Sequence, residues 1–194
     1  MKIGIDIDDT LVYTSKYMIK YAEIYNNEVL KKNKIHGNMG LIRNTHYLQK
    51  LYDWTKEEKI DFFKKYYVQV LAECELLPGA KETINYWKSK GHKIYFISAR
   101  LNWSETCNVD EITKDLLLKS EIEYDEIILK MEDKLEVCLE KEIDVFIDDS
   151  YETCIKLKEN NIMPYLITSK LNSLIKTEGI TRINNWDELK KLIR

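Results

Sequence analysis

Three aspartates fall within four positions in "GIDIDDTL" (residues 4–11), and a second acidic pair stands in "VFIDDS" (residues 145–150). Each group follows a short apolar run, which places Asp6, Asp8, Asp148 and Asp149 at expected strand ends. Carboxylates gathered in this way repel one another unless a cation neutralises them. An all-oxygen set suits Mg²⁺, which keeps several waters and binds substrate phosphate. "YFISAR" (residues 95–100) puts the hydroxyl of Ser98 where another strand stops, and Lys134 lies in "MEDKLEV" (residues 131–137). A phosphoryl group in transfer carries charge on its equatorial oxygens, and a hydroxyl donor with a fixed ammonium would stabilise it beside Mg²⁺. Together these residues describe phosphoryl transfer. A calcium loop starting at Asp6 would need Gly at its sixth position and Glu at its twelfth, where the chain has Leu11 and Tyr17. One Asp alone would read as a turn cap; two acidic strand ends with a cationic partner exceed that reading.

Those side chains need strands to carry them. Apolar runs rich in Ile, Val, Phe and Tyr at 3–7, 93–97, 126–129, 145–147 and 164–167 read as strands. Helical patterns fall at 80–90, 109–120, 133–142, 151–160 and 187–193. The alternation predicts an α/β fold, a Rossmann-like, doubly wound, mainly parallel sheet covered on both faces. In such sheets ligands bind outside the carboxyl ends of the strands. The stretch from Thr10 to Leu77 differs, being helical without a convincing strand. Tyrosines at 13, 17, 21 and 25 recur every four positions, and a second helical stretch runs from Lys56 to Glu75. It reads as a helical insert after the first strand. "LLPGA" (residues 76–80) marks the return, Pro78 and Gly79 turning the chain and Ala80 starting a helix.

With 194 residues and 44% hydrophobic content the chain can bury one substantial core. A net charge of only −3 fits neither a nucleic-acid binder nor an acidic disordered chain, so a small molecule rather than a nucleic acid polymer is the expected partner. Asp6, Asp8 and Asp9 interrupt the apolar run at the start, which argues against a signal peptide. No segment approaches about 18 consecutive apolar residues, so no membrane partner is expected. The four cysteines, Cys74, Cys107, Cys138 and Cys154, lack the paired spacing of a zinc site and fit reduced thiols in a cytoplasmic protein. Oligomeric state leaves no mark in the sequence.

The ordered motifs resemble the haloacid dehalogenase superfamily. DxDxT is Asp6 to Thr10, the strand-end Ser or Thr is Ser98, the Lys is Lys134 (Lys130 stands nearby), and the acidic pair is Asp148 and Asp149. The insert between the first two motifs matches the superfamily's C1 cap, giving a core domain of 1–13 and 78–194 and a cap of 14–77. The "GIDIDDTL" opening, the helical cap and "DVFIDDS" look most like the 5'(3')-deoxyribonucleotidase group and its bacterial relatives. The resemblance implies an Mg²⁺-dependent phosphomonoesterase acting through an aspartyl-phosphate. Asp6 would be the nucleophile and Asp8 the acid that protonates the leaving alcohol and then activates water. Mg²⁺ would be held by Asp6, the backbone carbonyl of Asp8 and Asp149, with Asp148 in support. Superfamily dehalogenases lack the second Asp, so dehalogenation is disfavoured. The implied substrate is a nucleoside monophosphate; a sugar phosphate or other metabolite would keep the same chemistry. A catalytically idle nucleotide- or protein-binding member is disfavoured by the complete motif set.

For substrate contact the insert offers several candidates. No acid occurs from Val29 to Tyr52, whereas Lys31, Lys32, Lys34, Arg43 and Lys50 do, a segment able to draw in an anion and equally readable as a solvated basic face. Arg43 is the candidate contact there, and His36 and His46 receive no role. The tyrosine stripe reads first as packing against the second cap helix, although Tyr13 and Tyr17 follow the nucleophile closely enough to face a base. Trp54 and Trp103 are weaker candidates of that kind. Thr10 could fix Asp6 or Asp8 or simply cap a turn, and Arg100 could touch phosphate or serve as an ordinary ion-pair residue.

Overall fold

A computed structural model describes residues 1–32, 40 and 47–193; Lys34, His36, Arg43 and His46 lie outside the described residues. Along the chain come β1 (Lys2–Ile5), α1 (Thr14–Ile24), a π-helical turn (Tyr25–Leu30), α2 (Tyr47–Tyr52), α3 (Lys56–Glu73), α4 (Ala80–Ser89), β2 (Lys93–Ile97) and α5 (Val109–Lys119). Then follow β3 (Glu126–Ile128), α6 (Lys134–Glu140), β4 (Val145–Asp148), α7 (Tyr151–Glu159), β5 (Met163–Ile167), β6 (Thr181–Ile183) and α8 (Trp186–Leu192). The strands form one sheet in the order β3-β2-β1-β4-β5-β6, every pairing parallel. β1 is its centre, with Ile5 opposite Phe96 on one side and Ile147 on the other.

Both faces are covered, so the inner strands β1, β2, β4 and β5 are largely apolar on both sides. Ile3, Ile5, Ile94, Phe96, Val145 and Ile147 join Trp87 of α4, Leu117 of α5 and Trp186 of α8 in one buried layer. With the two-residue alternation of a strand, Tyr95, Ile97 and Phe146 face the other way, against Val137 and Cys138 of α6 and Leu157 of α7. Gly4 lies on that second face, where a Cβ would come within 2.3 Å of the Phe146 ring. All four cysteines are free and buried. Among the described residues no helix is long and apolar enough to cross a membrane.

α1, α2 and α3 lie between β1 and α4. α1 packs on α3 through the tyrosine stripe, with Tyr21 on Tyr66 at 5.5 Å and Tyr25 on Phe62 at 5.7 Å between ring centroids. Thr55 caps α3 in a reciprocal box with Glu58. The chain leaves the sheet and returns to it side by side. The Tyr13 amide donates to the Glu75 carbonyl at 3.0 Å, and that of Leu77 to the Leu11 carbonyl at 2.8 Å. Gly79 then takes a left-handed conformation, φ 79°, and Ala80 starts α4. Sequence patterning anticipated neither α2 nor β6. β6 is a three-residue edge strand, Thr-Arg-Ile, with a single buried residue.

Candidate active site

In the order β3-β2-β1-β4-β5-β6 the direction of winding reverses between β1 and β4, and the crevice at such a switch point is where open α/β sheets bind ligands. Asp6 follows β1 directly, its amide donating to the Ile147 carbonyl at 2.9 Å, and Asp148 ends β4. Lys134 opens α6, whose N-cap is Asp133. Its Nζ donates to Asp6 Oδ1 at 2.6 Å and to Asp148 Oδ2 at 2.7 Å, with the Phe146 ring 5.5 Å away. The three side chains are almost wholly enclosed, Lys134 at 8% exposure, Asp6 at 7% and Asp148 at 1%. Burial works against the charge on Lys134, but Asp148 and Asp6 outweigh it and hold the ammonium well above its ordinary value. Burial pushes Asp6 up to about 7, with Asp148 and Asp8 adding to the rise and Lys134 opposing it. Lys130 instead pairs with Asp110 at 2.5 Å on the surface.

Asp148 is fully engaged. Its Oδ1 accepts the Ser150 amide at 2.8 Å, and the Ser150 side chain in turn caps α7. Asp149 lies in a loop braced from behind. Asn172 Nδ2 donates to the Asp149 carbonyl at 2.7 Å and to the Ile167 carbonyl at 3.0 Å, while Arg182 holds Asn172 Oδ1 at 2.8 Å. Burial, then Asp9, Asp148 and Asp6, push the Asp149 carboxyl far up, with Ser169 opposing. Oxygens of Asp6, Asp148 and Asp149 lie within 4.8 Å of one another. Among the described residues Asp6, Asp8, Asp9, Asp148 and Asp149 are met by two cations, Lys134 and Arg100, a formal excess of three negative charges among those residues. A hard divalent cation fits that deficit and an all-oxygen donor set.

Asp8 is gripped from one side. Its Oδ1 accepts from Thr14 Oγ1 at 2.6 Å and Arg100 Nη2 at 2.9 Å, and Arg100 Nε lies 3.2 and 3.1 Å from the two oxygens. Ser98 Oγ is 3.4 Å from Oδ2. Burial acts to raise Asp8, but the Arg100 guanidinium outweighs it and the carboxyl sits below its usual range. Asp9 turns in a left-handed conformation, φ 56°, and accepts the Ser15 amide and hydroxyl at 2.9 and 2.8 Å, tying the loop to the start of α1.

The structure thus brings Asp6, Asp8, Ser98, Lys134, Asp148, Asp149 and Arg100 together. Thr10 is fully buried, its hydroxyl unpartnered among the described residues and its carbonyl accepting Trp186 Nε1 at 3.1 Å. The Tyr17 hydroxyl stands 3.4 Å from Lys16 Nζ, beside Glu75. Trp54 is enclosed between Tyr52 and Phe62 and donates to Asn26 at 3.0 Å. Trp103 stacks on Phe63 of α3 at 4.3 Å. Two tyrosines with no motif to mark them answer to the site instead. Burial raises the phenols of Tyr47 and Tyr67 far above their ordinary value, reinforced by Asp9, Asp8 and Asp149 at Tyr47 and by Asp8 at Tyr67.

Residues 1–194 match the sequence model of the family described as "5' nucleotidase, deoxy (Pyrimidine), cytosolic type C protein". A nucleotidase of Clostridium acetobutylicum is 25% identical to the chain, the match covering 97% of this chain and 91% of that protein. Among solved structures, a phosphoglycolate phosphatase predicted in Haemophilus somnus superposes with a TM-score of 0.72 at 16% identity, covering 100% of this chain and 97% of its own. A haloacid dehalogenase-superfamily hydrolase of Geobacter sulfurreducens does so at 0.63 and 12%, covering 99% of each. Both share the fold.

Proposed function

We propose, from the premise that the chain belongs to the family of cytosolic type C deoxy (pyrimidine) 5' nucleotidases and is a haloacid dehalogenase-superfamily phosphoric monoester hydrolase, that its substrate is a deoxyribonucleoside monophosphate. The observation that carries the chemistry is Lys134 bridging Asp6 and Asp148 at the β1/β4 switch point, with Asp8 and Ser98 beside them. Lys134 fixes the Asp6 carboxylate through Oδ1 and leaves it aimed out of the sheet as the nucleophile on phosphorus. Attack forms an aspartyl-phosphate and breaks the ester bond, dividing one hard displacement into two easier ones. In its protonated form, the minority form beside Arg100, Asp8 gives its proton to the departing alcohol oxygen; the carboxylate then takes a proton from the water that releases phosphate and restores Asp6. Ser98 donates to a phosphoryl oxygen, and Lys134 offsets the charge that builds there.

Asp6, the backbone carbonyl of Asp8 and Asp149 would hold Mg²⁺, and Asp148, already committed to Lys134 and Ser150, supports them. Bound there, Mg²⁺ neutralises the substrate phosphate against the surrounding carboxylates. Residues 14–77 serve as the cap. Family membership supports a nucleotide over other phosphate esters; the acid-free basic stretch from Val29 to Tyr52 would draw in any anionic ester.

The test is phosphate release from a panel of ribo- and deoxyribonucleoside monophosphates and sugar phosphates with Mg²⁺, beside Asp6→Asn and chelated controls. Deoxynucleotides leading, with both controls dead, is the expected result. Sugar phosphates leading would overturn the substrate, and release that persists in Asp6→Asn would overturn the mechanism.

A further inference from the structure

Position 100, two residues after Ser98, suits an arginine that meets substrate phosphate or forms an ordinary ion pair, and the surroundings of Arg100 point to another task. Its side chain is 0% exposed, whereas the Asp8 carboxylate is 31% exposed, so the guanidinium lies behind the acid. Enclosing a guanidinium is costly unless it is paired and hydrogen-bonded. The partners it finds are Asp8 and, through Nη1 at 3.0 Å, the buried Thr113 hydroxyl of α5. Thr113 anchors the far end of the fork, and the near end sets the carboxylate. Asp8 Oδ1 takes short bonds from Thr14 at 2.6 Å and Arg100 Nη2 at 2.9 Å. Oδ2 has only Arg100 Nε at 3.1 Å and the long 3.4 Å approach of Ser98 among the described residues. Both oxygens meet the guanidinium, but Oδ1 carries the short bonds and Oδ2 is the one beside the hydroxyl that would bind the phosphoryl group.

We propose that Arg100 is a positioning residue for Asp8. Anchored on Thr113, it grips Oδ1 so that Oδ2 faces the reacting ester beside Ser98 and exchanges the proton there. The inference rests on the reading of Asp8 as the general acid. In the step concerned the bond from phosphorus to the ester oxygen breaks as Asp6 attacks, and the proton on Asp8 Oδ2 moves to that oxygen, giving a neutral alcohol. The water that later cleaves the aspartyl-phosphate returns a proton to Oδ2, so the cycle closes without any other reagent. A lysine at position 100 keeps the charge but cannot bond side-on to both oxygens while reaching Thr113.

The leaving group separates positioning from simple structural support. An alkyl ester such as a deoxynucleoside monophosphate needs its alkoxide protonated, whereas p-nitrophenyl phosphate releases a phenolate that does not. kcat/KM reports the chemistry through that first cleavage. Arg100→Lys and Arg100→Gln, first shown to be folded, are expected to lose about 100-fold on the nucleotide and less than about 3-fold on the aryl ester. Asp8→Asn should show the same selectivity more strongly. Thr113→Val, which removes only the anchor, should show it more weakly and carries the test if the Arg100 variants do not fold. Equal losses on the two esters in the Arg100 or Thr113 variants, with Asp8→Asn selective, would overturn the positioning role alone. An Asp8→Asn variant that loses equally on both would overturn the reading of Asp8 itself, and the inference with it.

Discussion

The carboxyl end of the sheet and the outer faces of α1 and α3 both carry charge pairs at similar distances, yet the two regions obey different rules. Lys16–Glu75 and Lys20–Glu73 are 2.6 Å contacts whose side chains are 39% to 62% exposed. Water and salt compete for such pairs, which contribute little. Lys134–Asp6 is also a 2.6 Å contact, but both side chains are below 10% exposure and a second acid shares the ammonium. There the partners have been removed from water, and each depends on the other to offset that cost. Distance alone therefore says nothing about what an ion pair does; enclosure and the number of acids per cation do.

Breaking the pairs measures the contrast. Asp6→Asn is expected to abolish phosphate release, by more than about 1,000-fold, while the protein stays folded by circular dichroism. Lys134→Met leaves Asp6 and Asp148 buried without their cation. Urea denaturation of the metal-free protein should show a loss of about 3–5 kcal/mol, and a loss below 1 kcal/mol would mean that the acids shed their charge freely. Mg²⁺ at about 100 times its Kd should add roughly 2.7 kcal/mol to the wild type. Asp149→Asn should blunt that gain; an unchanged Mg²⁺ response would remove Asp149 from the ligand set. Gly4→Ala tests the packing beneath the pair without changing a charge. Its Cβ would meet the Phe146 ring, on which Lys134 rests, at a cost of about 1–3 kcal/mol in the same titration. Lys20→Ala should leave the melting temperature unchanged within replicate scatter at any salt concentration; a clear drop would erase the contrast between the two regions.

Much of the sheet was legible because buried parallel strands are apolar on both faces, and five of the six announced themselves as short runs of Ile, Val, Phe and Tyr. β6 did not, because an edge strand of Thr-Arg-Ile buries one side chain and offers neither a run nor a clear alternation. The acids, Ser98 and Lys134 were legible because strand-end charge demands a reason. Their geometry was not: Arg100 and Asp8 meet across 92 positions, and nothing local marks the arginine as enclosed. Asp9 carries no motif role in the sequence, and only the left-handed turn with its bonds to Ser15 shows that it fixes the start of α1. Tyr47 and Tyr67 sit in helices with no distinguishing spacing, so neither their burial nor the Asp8 charge that reaches them was legible.

The central place of β1 also has a consequence during synthesis. Ile3 pairs with Ile94 and Val145, so β1 waits for its sheet partners until about 90 more residues have been added. At 5–20 residues per second that is a wait of roughly 5 to 20 s with two unsatisfied edges. A bare apolar strand of this kind invites pairing with a neighbouring chain, and charges beside such a strand discourage it. Asp6, Asp8 and Asp9 emerge immediately behind β1. The residues that gather at the centre of the finished site are thus also the charges that border the nascent strand.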